Sequence, residues 1–117
     1  MSAQLKIVSR MEGADVAVLA LTGEVDVANA TQVREAGLKL ISDGVKHLVI
    51  DLSDTEYMDT SGLGTLVGLQ KRIKESGGEI LLAALQPRVM RPFEITGLTN
   101  VFKLYDDVGS AVKEARS

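Results

Sequence analysis

The chain has no cysteine and no tryptophan, and aromatic residues make up only 3% of its 117 residues. Without cysteine, neither a disulfide nor a thiolate metal site can hold the fold, which is typical of a reducing compartment such as the cytoplasm. So few aromatic rings argue against a surface on which nucleic-acid bases stack. The composition therefore predicts a cytoplasmic protein that relies on an ordinary hydrophobic core.

Basic charge and long apolar runs are scarce as well. The 13 basic residues are outnumbered by 16 acidic ones, and the net charge is -3, whereas a nucleic-acid-binding face gathers basic residues. No apolar run approaches the roughly 20 residues that a membrane helix needs. Residues 1–6 lack the basic start and apolar run of a signal peptide. We expect no nucleic-acid partner, no membrane span and no secretion.

Hydrophobic patterns predict a strand pair followed by repeated helix–strand units. A length of 117 residues with 45% hydrophobic residues is typical of one domain, predicted to cover residues 1–117. The element order implies an α/β fold, a mixed β-sheet of about five strands with about four helices packed on it. The strands are predicted at 5–8, 16–21, 47–52, 79–84 and 101–105, and the helices at 28–42, 61–76, 87–97 and from about 108.

The segment 57–66 places two hydroxyl residues at a predicted helix start, directly after a buried strand. The first backbone N–H groups of a helix lack partners within the helix, so an oxygen of Asp59 or Thr60 is expected to cap them. Ser61 then lies in the first turn, where N–H donors and the helix dipole favour a phosphate. Ser61 is therefore predicted to be a modified residue and not a nucleophile, although a capped helix with nothing bound fits the spacing equally well.

Three glycines lie inside this predicted helix, at positions 62, 64 and 68. Each costs roughly 1 kcal/mol relative to alanine in a helix. Such losses indicate that something approaches the helix backbone closely, either the sheet beneath it or a partner above it. Packing alone is sufficient to explain Gly64 and Gly68.

Nucleotide-binding and hydrolase patterns are incomplete at this turn. Val67 stands where a dinucleotide fingerprint needs its third glycine, and no Gly-Lys-Ser sequence is present. A nucleophile elbow needs glycines where Asp59 and Leu63 stand. The single histidine, His47, begins a strand of about 16 Å whose far end leads to Ser61. We therefore predict no catalytic residue and no enzyme, with His47 as a solvated residue at the strand start.

Four aspartates, Asp26, Asp51, Asp54 and Asp59, follow strands and can gather at the carboxyl edge of the sheet. One interpretation is a magnesium pocket with a phosphoaccepting aspartate, as in response-regulator receivers. Receivers carry an acidic pair after the first strand, whereas Ser9 and Arg10 occupy that place here. Capping and turn roles remain open for each aspartate, and we predict neither a metal site nor a cofactor.

Five segments occur in the order seen in one known family. They are Gly23-Glu24-Val25-Asp26, the strand from Leu48 to Leu52, the segment from Met58 to Gly64, Gly77-Gly78, and Val89 to Gly97. Over residues 5–115 the chain thus resembles the bacterial anti-sigma factor antagonists, the stand-alone members of the sulfate transporter and anti-sigma factor antagonist (STAS) domain family. The most specific part is the Asp-Thr-Ser-Gly-Leu-Gly sequence that begins at Asp59.

The resemblance implies a phosphorylation-controlled partner switch. Unmodified protein would bind an anti-sigma factor that is also a serine/threonine kinase and so release a sigma factor for transcription. Phosphorylation at Ser61, with Thr60 as the alternative site, would abolish binding, and a protein phosphatase would restore it. The predicted partner-binding residues are Asp26, Asp59, Thr60, Ser61, Gly62 and Gly64. A second hypothesis keeps the STAS fold but makes the chain a non-switching binding subunit of a stress-sensing or lipid-transport complex.

Overall fold

The computed structural model of the protein describes residues 4–117. Residues 1–3, part of the segment searched for a signal peptide, lie outside the described residues. The elements are β1 (Lys6–Met11), β2 (Val16–Val25), α1 (Ala30–Ser42), β3 (His47–Asp51), β4 (Thr55–Met58), α2 (Thr60–Glu75), β5 (Glu79–Ala83), α3 (Pro87–Ile95), a 3₁₀ turn (Leu98–Asn100), β6 (Lys103–Tyr105) and α4 (Val108–Arg116). This order confirms the predicted α/β class and the helices packed on a mixed sheet.

The sheet has the strand order β1-β2-β3-β5-β6, with the short strand β4 paired to the end of β2. Among the strands of the described residues, β1 and β2 form the one antiparallel pair, and the other pairs are parallel. Parallel neighbours need crossover connections, which α1, α2 and α3 supply. The carboxyl ends of the parallel strands therefore share one edge of the sheet.

Strand β4 was not predicted from the sequence. Its two end residues are buried and its two middle residues are exposed, so it lacks the apolar–polar alternation of a typical strand. It pairs with the last residues of β2 after a register shift between Gly23 and Glu24. The buried Thr55 hydroxyl donates a hydrogen bond to the Leu21 carbonyl at 2.7 Å. β4 thus carries the chain into α2 directly beside the end of β2.

The hydrophobic core lies on both faces of the sheet, because successive strand residues point to opposite faces. Helices α1, α2 and α3 cover one face over the strand residues Leu19, Leu48, Ile50, Ile80 and Leu82. Helix α4 covers the other face, where Ala111 and Ala115 pack with Val16, Val18, Val49, Leu81 and Ala83. In the described part of the chain, no helix combines the length and apolar character needed to cross a membrane.

Helix α2 is fixed at its far end by a buried polar residue. The Gln70 side chain accepts a hydrogen bond from the Ile80 N–H at 2.9 Å and donates one to the Val101 carbonyl at 3.0 Å. Gly77, with φ of +84°, follows the helix, as predicted from the Gly77-Gly78 pair. These contacts hold the second half of α2 against β5 and the residue that follows the 3₁₀ turn.

Candidate functional site

Asp26 and Asp59 lie at the ends of two neighbouring strands. Val25 and Met58, the last residues of β2 and β4, are paired in parallel register. The backbone N–H of Asp59 donates to the Val25 carbonyl at 3.1 Å. The loop that begins at Asp26 and the first turn of α2 are therefore held side by side at the carboxyl edge of the sheet.

Asp59 is the N-cap of α2. One oxygen of its carboxylate, Oδ1, accepts hydrogen bonds from the N–H groups of Ser61 at 2.9 Å and Gly62 at 3.2 Å. Its backbone carbonyl accepts from the Leu63 N–H at 3.0 Å. The predicted cap is confirmed, and Asp59 supplies it instead of Thr60. The N–H groups of Ser61, Gly62 and Leu63 are thus already occupied, contrary to the expectation that they are available to a phosphate.

The two hydroxyl residues differ in exposure. Thr60, the first residue of α2, is exposed, and Ser61 is half-buried behind it. Within residues 4–117, neither side-chain hydroxyl has a hydrogen-bond partner. The cap bonds at this helix start end on the Asp59 carboxylate. Ser61 therefore contributes its backbone N–H to the cap and leaves its hydroxyl available for chemistry.

The loop after β2 is held by hydrogen bonds of the Asp26 and Asn29 side chains and backbone. The Asp26 carboxylate accepts from the Ala28 N–H at 2.9 Å, and the Asp26 N–H donates to the Asn29 side-chain oxygen at 2.9 Å. The Asn29 amide donates to the Glu24 carbonyl at 2.8 Å. This turn delays α1 to Ala30, two residues later than predicted. Asn29 was missed, although an asparagine before a helix is a recognised turn signal.

Two exposed apolar side chains flank these residues and were also missed. Val27 is 79% exposed and Tyr57 is 50% exposed. The sequence signal that could have identified Val27 is an apolar residue inside a turn. Exposed apolar groups beside polar ones are typical of protein contact sites. We refer to Asp26, Val27, Tyr57, Asp59, Thr60 and Ser61 together as the α2-start surface.

The structure shows which glycines of α2 pack against the sheet and which are exposed, and the result differs from the prediction. A Cβ atom at Gly62 would lie 2.9 Å from the Val25 side chain and closer still to Met58. Gly62 is therefore buried against the sheet, and its predicted place on the partner-binding surface is wrong. A Cβ atom at Gly64 or at Gly68 would meet nothing within 4 Å, so packing explains neither of these two exposed glycines.

The remaining aspartates at this edge serve turns. The Asp51 carboxylate accepts from the Ser53 N–H at 3.0 Å, and the Asp54 carbonyl accepts from the Gly23 N–H at 3.0 Å. Among residues 4–117, no three histidine or acidic side chains are grouped in a way that could hold a metal ion. The structure thus gives the Asp51 carboxylate a local backbone partner, whereas Asp54 takes part through its backbone carbonyl.

His47 is not the solvated residue that was predicted. It is half-buried at the start of β3, and its Nδ1 atom is buried without a hydrogen-bond partner among the described residues. Pairing with Val16 and Glu79 on the two neighbouring strands explains this burial. His47 lies at the strand end opposite the α2-start surface, as expected.

Comparison with known proteins identifies relatives of this architecture. A family model described as the STAS domain matches residues 8–111. The anti-sigma-B factor antagonist of Bacillus subtilis strain 168 is 40% identical over 84 residues, which cover 72% of this chain and 76% of that protein. The anti-sigma F factor antagonist of Paenibacillus polymyxa is 32% identical over 100 residues, which cover 85% of this chain and 86% of that protein.

A solved structure agrees with these sequence matches. The crystal structure of an anti-sigma factor antagonist from Mycobacterium paratuberculosis superposes with a TM-score of 0.88 at 28% identity. The superposition covers 100% of both chains. The family match at residues 8–111 includes both the Asp26 loop and the first turn of α2.

Proposed function

The chain belongs to the STAS domain family, and from this premise we propose that it is an anti-sigma factor antagonist controlled by phosphorylation of Ser61. Unphosphorylated protein binds an anti-sigma factor that is also a serine/threonine kinase, and the sigma factor is released. Phosphorylation ends the binding, and a protein phosphatase restores it. ATP and catalysis belong to the partners, so the chain itself needs no cofactor.

The observation that carries this proposal is the position of the Ser61 hydroxyl relative to Asp59. The hydroxyl lies on a fixed first turn, while the Asp59 carboxylate occupies the amides of Ser61 and Gly62. A phosphate adds about -1.5 to -2 charges and three acceptor oxygens. Because the Ser61 and Gly62 donors are taken, a phosphate must compete with a carboxylate for them or remain on the surface. A partner that covers this turn would meet the new charge directly.

The energetic effect of one phosphate is large enough for a switch. Burying an unpaired charge costs several kcal/mol, and each 1.4 kcal/mol is about a tenfold change in affinity. Asp26 adds a carboxylate at the end of the adjacent strand, so negative charge accumulates on the α2-start surface. Val27 and Tyr57 supply apolar area that favours binding while Ser61 is unmodified. Gly64 is exposed one turn further along α2 and extends the proposed partner-binding surface.

The first experiment is a pull-down from the source cells with the wild-type chain, with and without ATP, followed by mass spectrometry of the bound proteins. An anti-sigma factor kinase bound without ATP and released with ATP supports the switch. Stress-sensing or transport subunits that stay bound in both conditions would favour the non-switching binding subunit.

The second experiment uses that purified kinase with three variants, measuring phosphorylation by mass spectrometry and affinity by calorimetry. Ser61→Ala should fold normally, resist phosphorylation and bind persistently in ATP. Ser61→Asp should bind far more weakly than wild type. Thr60→Ala should remain phosphorylatable. Phosphate on Thr60, or unhindered binding by both Ser61→Asp and phosphorylated wild type, contradicts the mechanism.

A further inference from the structure

The exposed face of α2 runs from Ser61 to a groove. Residues 61, 64, 68, 71 and 72 follow the spacing that places side chains on one face of a helix. Gly68 lies seven residues after Ser61, which is two turns and roughly 10 Å along the axis. A Cβ atom at Gly64 or Gly68 would meet nothing within 4 Å. The helix backbone between the first turn and the groove is therefore open to a second molecule.

The groove lies between α1 and α2 and has a volume of about 810 Å³. The two helices approach closely beside it, since a Cβ atom at Gly37 would lie 2.7 Å from Leu69 Cδ1. Leu38, Ile41 and Leu69 give the groove an apolar floor. Its rim carries the basic side chains of Arg34, Lys71 and Arg72 and the acidic side chain of Glu75.

The rim cations are only partly neutralised. Arg72 pairs with Glu75 at 3.4 Å. Within residues 4–117, no carboxylate lies within 4.0 Å of the charged group of Arg34 or Lys71. Positive charge is thus concentrated here in a chain whose net charge is -3. The opposite end of the same helix carries the carboxylates of the α2-start surface, so the exposed face of α2 is acidic at one end and basic at the other.

We propose that the groove receives an acidic, amphipathic segment of the same anti-sigma factor that covers Ser61, an inference that rests on the proposed function. The apolar floor fits the apolar side of such a segment, and Arg34 and Lys71 fit its carboxylates. Gly64 and Gly68 allow the partner to continue between the two contacts. The opposite charges at the two ends fix the direction in which the partner lies along α2.

A matched pair of lysines on α2 tests the charge contact. Lys71→Glu reverses a rim charge, and Lys74→Glu makes the same change at an exposed lysine outside the groove lining. Against the purified anti-sigma factor, Lys71→Glu should lower the affinity on the order of tenfold at low salt, with a smaller loss at high salt. Lys74→Glu should remain within about twofold of wild type, because its charge lies outside the contact.

A neutral variant separates docking from long-range attraction. Gly68→Leu places an apolar side chain at the groove without changing charge, and its Cβ meets no described atom within 4 Å. Leucine also favours the helix over glycine. Thermal melting should therefore hold or rise while the affinity for the anti-sigma factor falls on the order of tenfold.

Zero-length cross-linking with a carbodiimide identifies the occupant. The Lys71 amine should form an amide bond with an aspartate or glutamate of the partner, which mass spectrometry of the joined peptides locates, while Lys74 should not. Wild-type affinity in Lys71→Glu and Gly68→Leu, together with lost binding in Ser61→Asp, overturns the groove contact and leaves the proposed function standing. Failure of the unphosphorylated wild type to bind would overturn both.

Discussion

The Asp59 carboxylate accepts a hydrogen bond from the backbone N–H of Ser61 at 2.9 Å, so the residue proposed for phosphorylation is held by its acidic neighbour. The same carboxylate oxygen also binds the Gly62 N–H at 3.2 Å. Asp59 therefore has two effects, since it stabilises the helix start and keeps the donors there away from a phosphate on Ser61.

Replacing Asp59 should separate these two effects. Asp59→Ala removes the cap and should lower the free energy of unfolding by about 1 kcal/mol, whereas Asp59→Asn retains an acceptor and should cost less. Chemical denaturation measures both values. With Ser61 phosphorylated, Asp59→Asn should bind the anti-sigma factor better than phosphorylated wild type, because one repelling charge is gone. A free energy of unfolding of Asp59→Ala equal to that of wild type would show that the cap is unimportant.

The glycines of α2 should respond in opposite directions to alanine. Gly62→Ala places a methyl group against Val25 and Met58, and such overpacking costs typically about 1–3 kcal/mol. Gly64→Ala should raise the free energy of unfolding by up to about 1 kcal/mol, because alanine is the better helix former. Denaturant unfolding tests this contrast.

Binding adds a second readout for Gly64. If a partner lies on the exposed face of α2, Gly64→Ala should weaken binding although the fold is more stable. Higher stability with unchanged affinity would remove Gly64 from the proposed contact.

Asp26→Asn should preserve the fold and slow partner association. The amide oxygen of asparagine can still accept from the Ala28 N–H, so the free energy of unfolding should change little. If the Asp26 charge meets a basic group of the partner, the association rate should fall at low salt and recover with added salt. Asp43→Asn, at the exposed end of α1, is the matched control. Identical association kinetics for both variants would limit Asp26 to its turn.

Helix α4 should show a pH-dependent cap. The Ser110 N–H donates to the Asp107 carboxylate at 2.7 Å, and this backbone hydrogen bond holds the pKa of Asp107 below its ordinary value of 3.8. A lowered pKa in the folded state stabilises the protein above the unfolded pKa, and that contribution is lost as the pH falls through the folded pKa. Asp107→Ala should therefore be less stable than wild type at pH 6, with a smaller difference at pH 3.

Asp106→Ala is the control for this cap, because it removes an exposed aspartate one residue earlier. Its stability difference from wild type should be small at both pH values. Urea unfolding at pH 3 and pH 6 gives the free energy of unfolding of all three proteins. If Asp107→Ala were less stable than wild type by the same amount at both pH values, the predicted pH dependence of the cap would be wrong.

Much of the fold could be predicted from the sequence because the main strands and helices carry strong local signals. The run from His47 to Leu52 is apolar enough for a strand buried on both faces, and Gly77-Gly78 marks the end of α2. The cap of α2 was restricted to Asp59 or Thr60 by the same local chemistry. Local signals of this kind do not depend on distant parts of the chain.

The remaining features depend on contacts between distant segments. Thr55–Met58 becomes a strand only because the end of β2 offers it a partner. The side of α2 on which Gly62 lies is set by Val25, 37 positions earlier in the sequence. The groove needs α1 and α2 to be packed together before its cations meet. No local pattern carries that information.

Among residues 4–117, α4 is the one helix that covers the second face of the sheet, and the buried members of its nine residues are two alanines. Small side chains bury little apolar area, so this layer is held less strongly than the three-helix layer on the other side. Local opening can therefore detach α4 as a unit and expose the valines of β2 and β3 to aggregation, while α2 stays folded. Native-state hydrogen exchange should show amides of α4 exchanging well before those of α2.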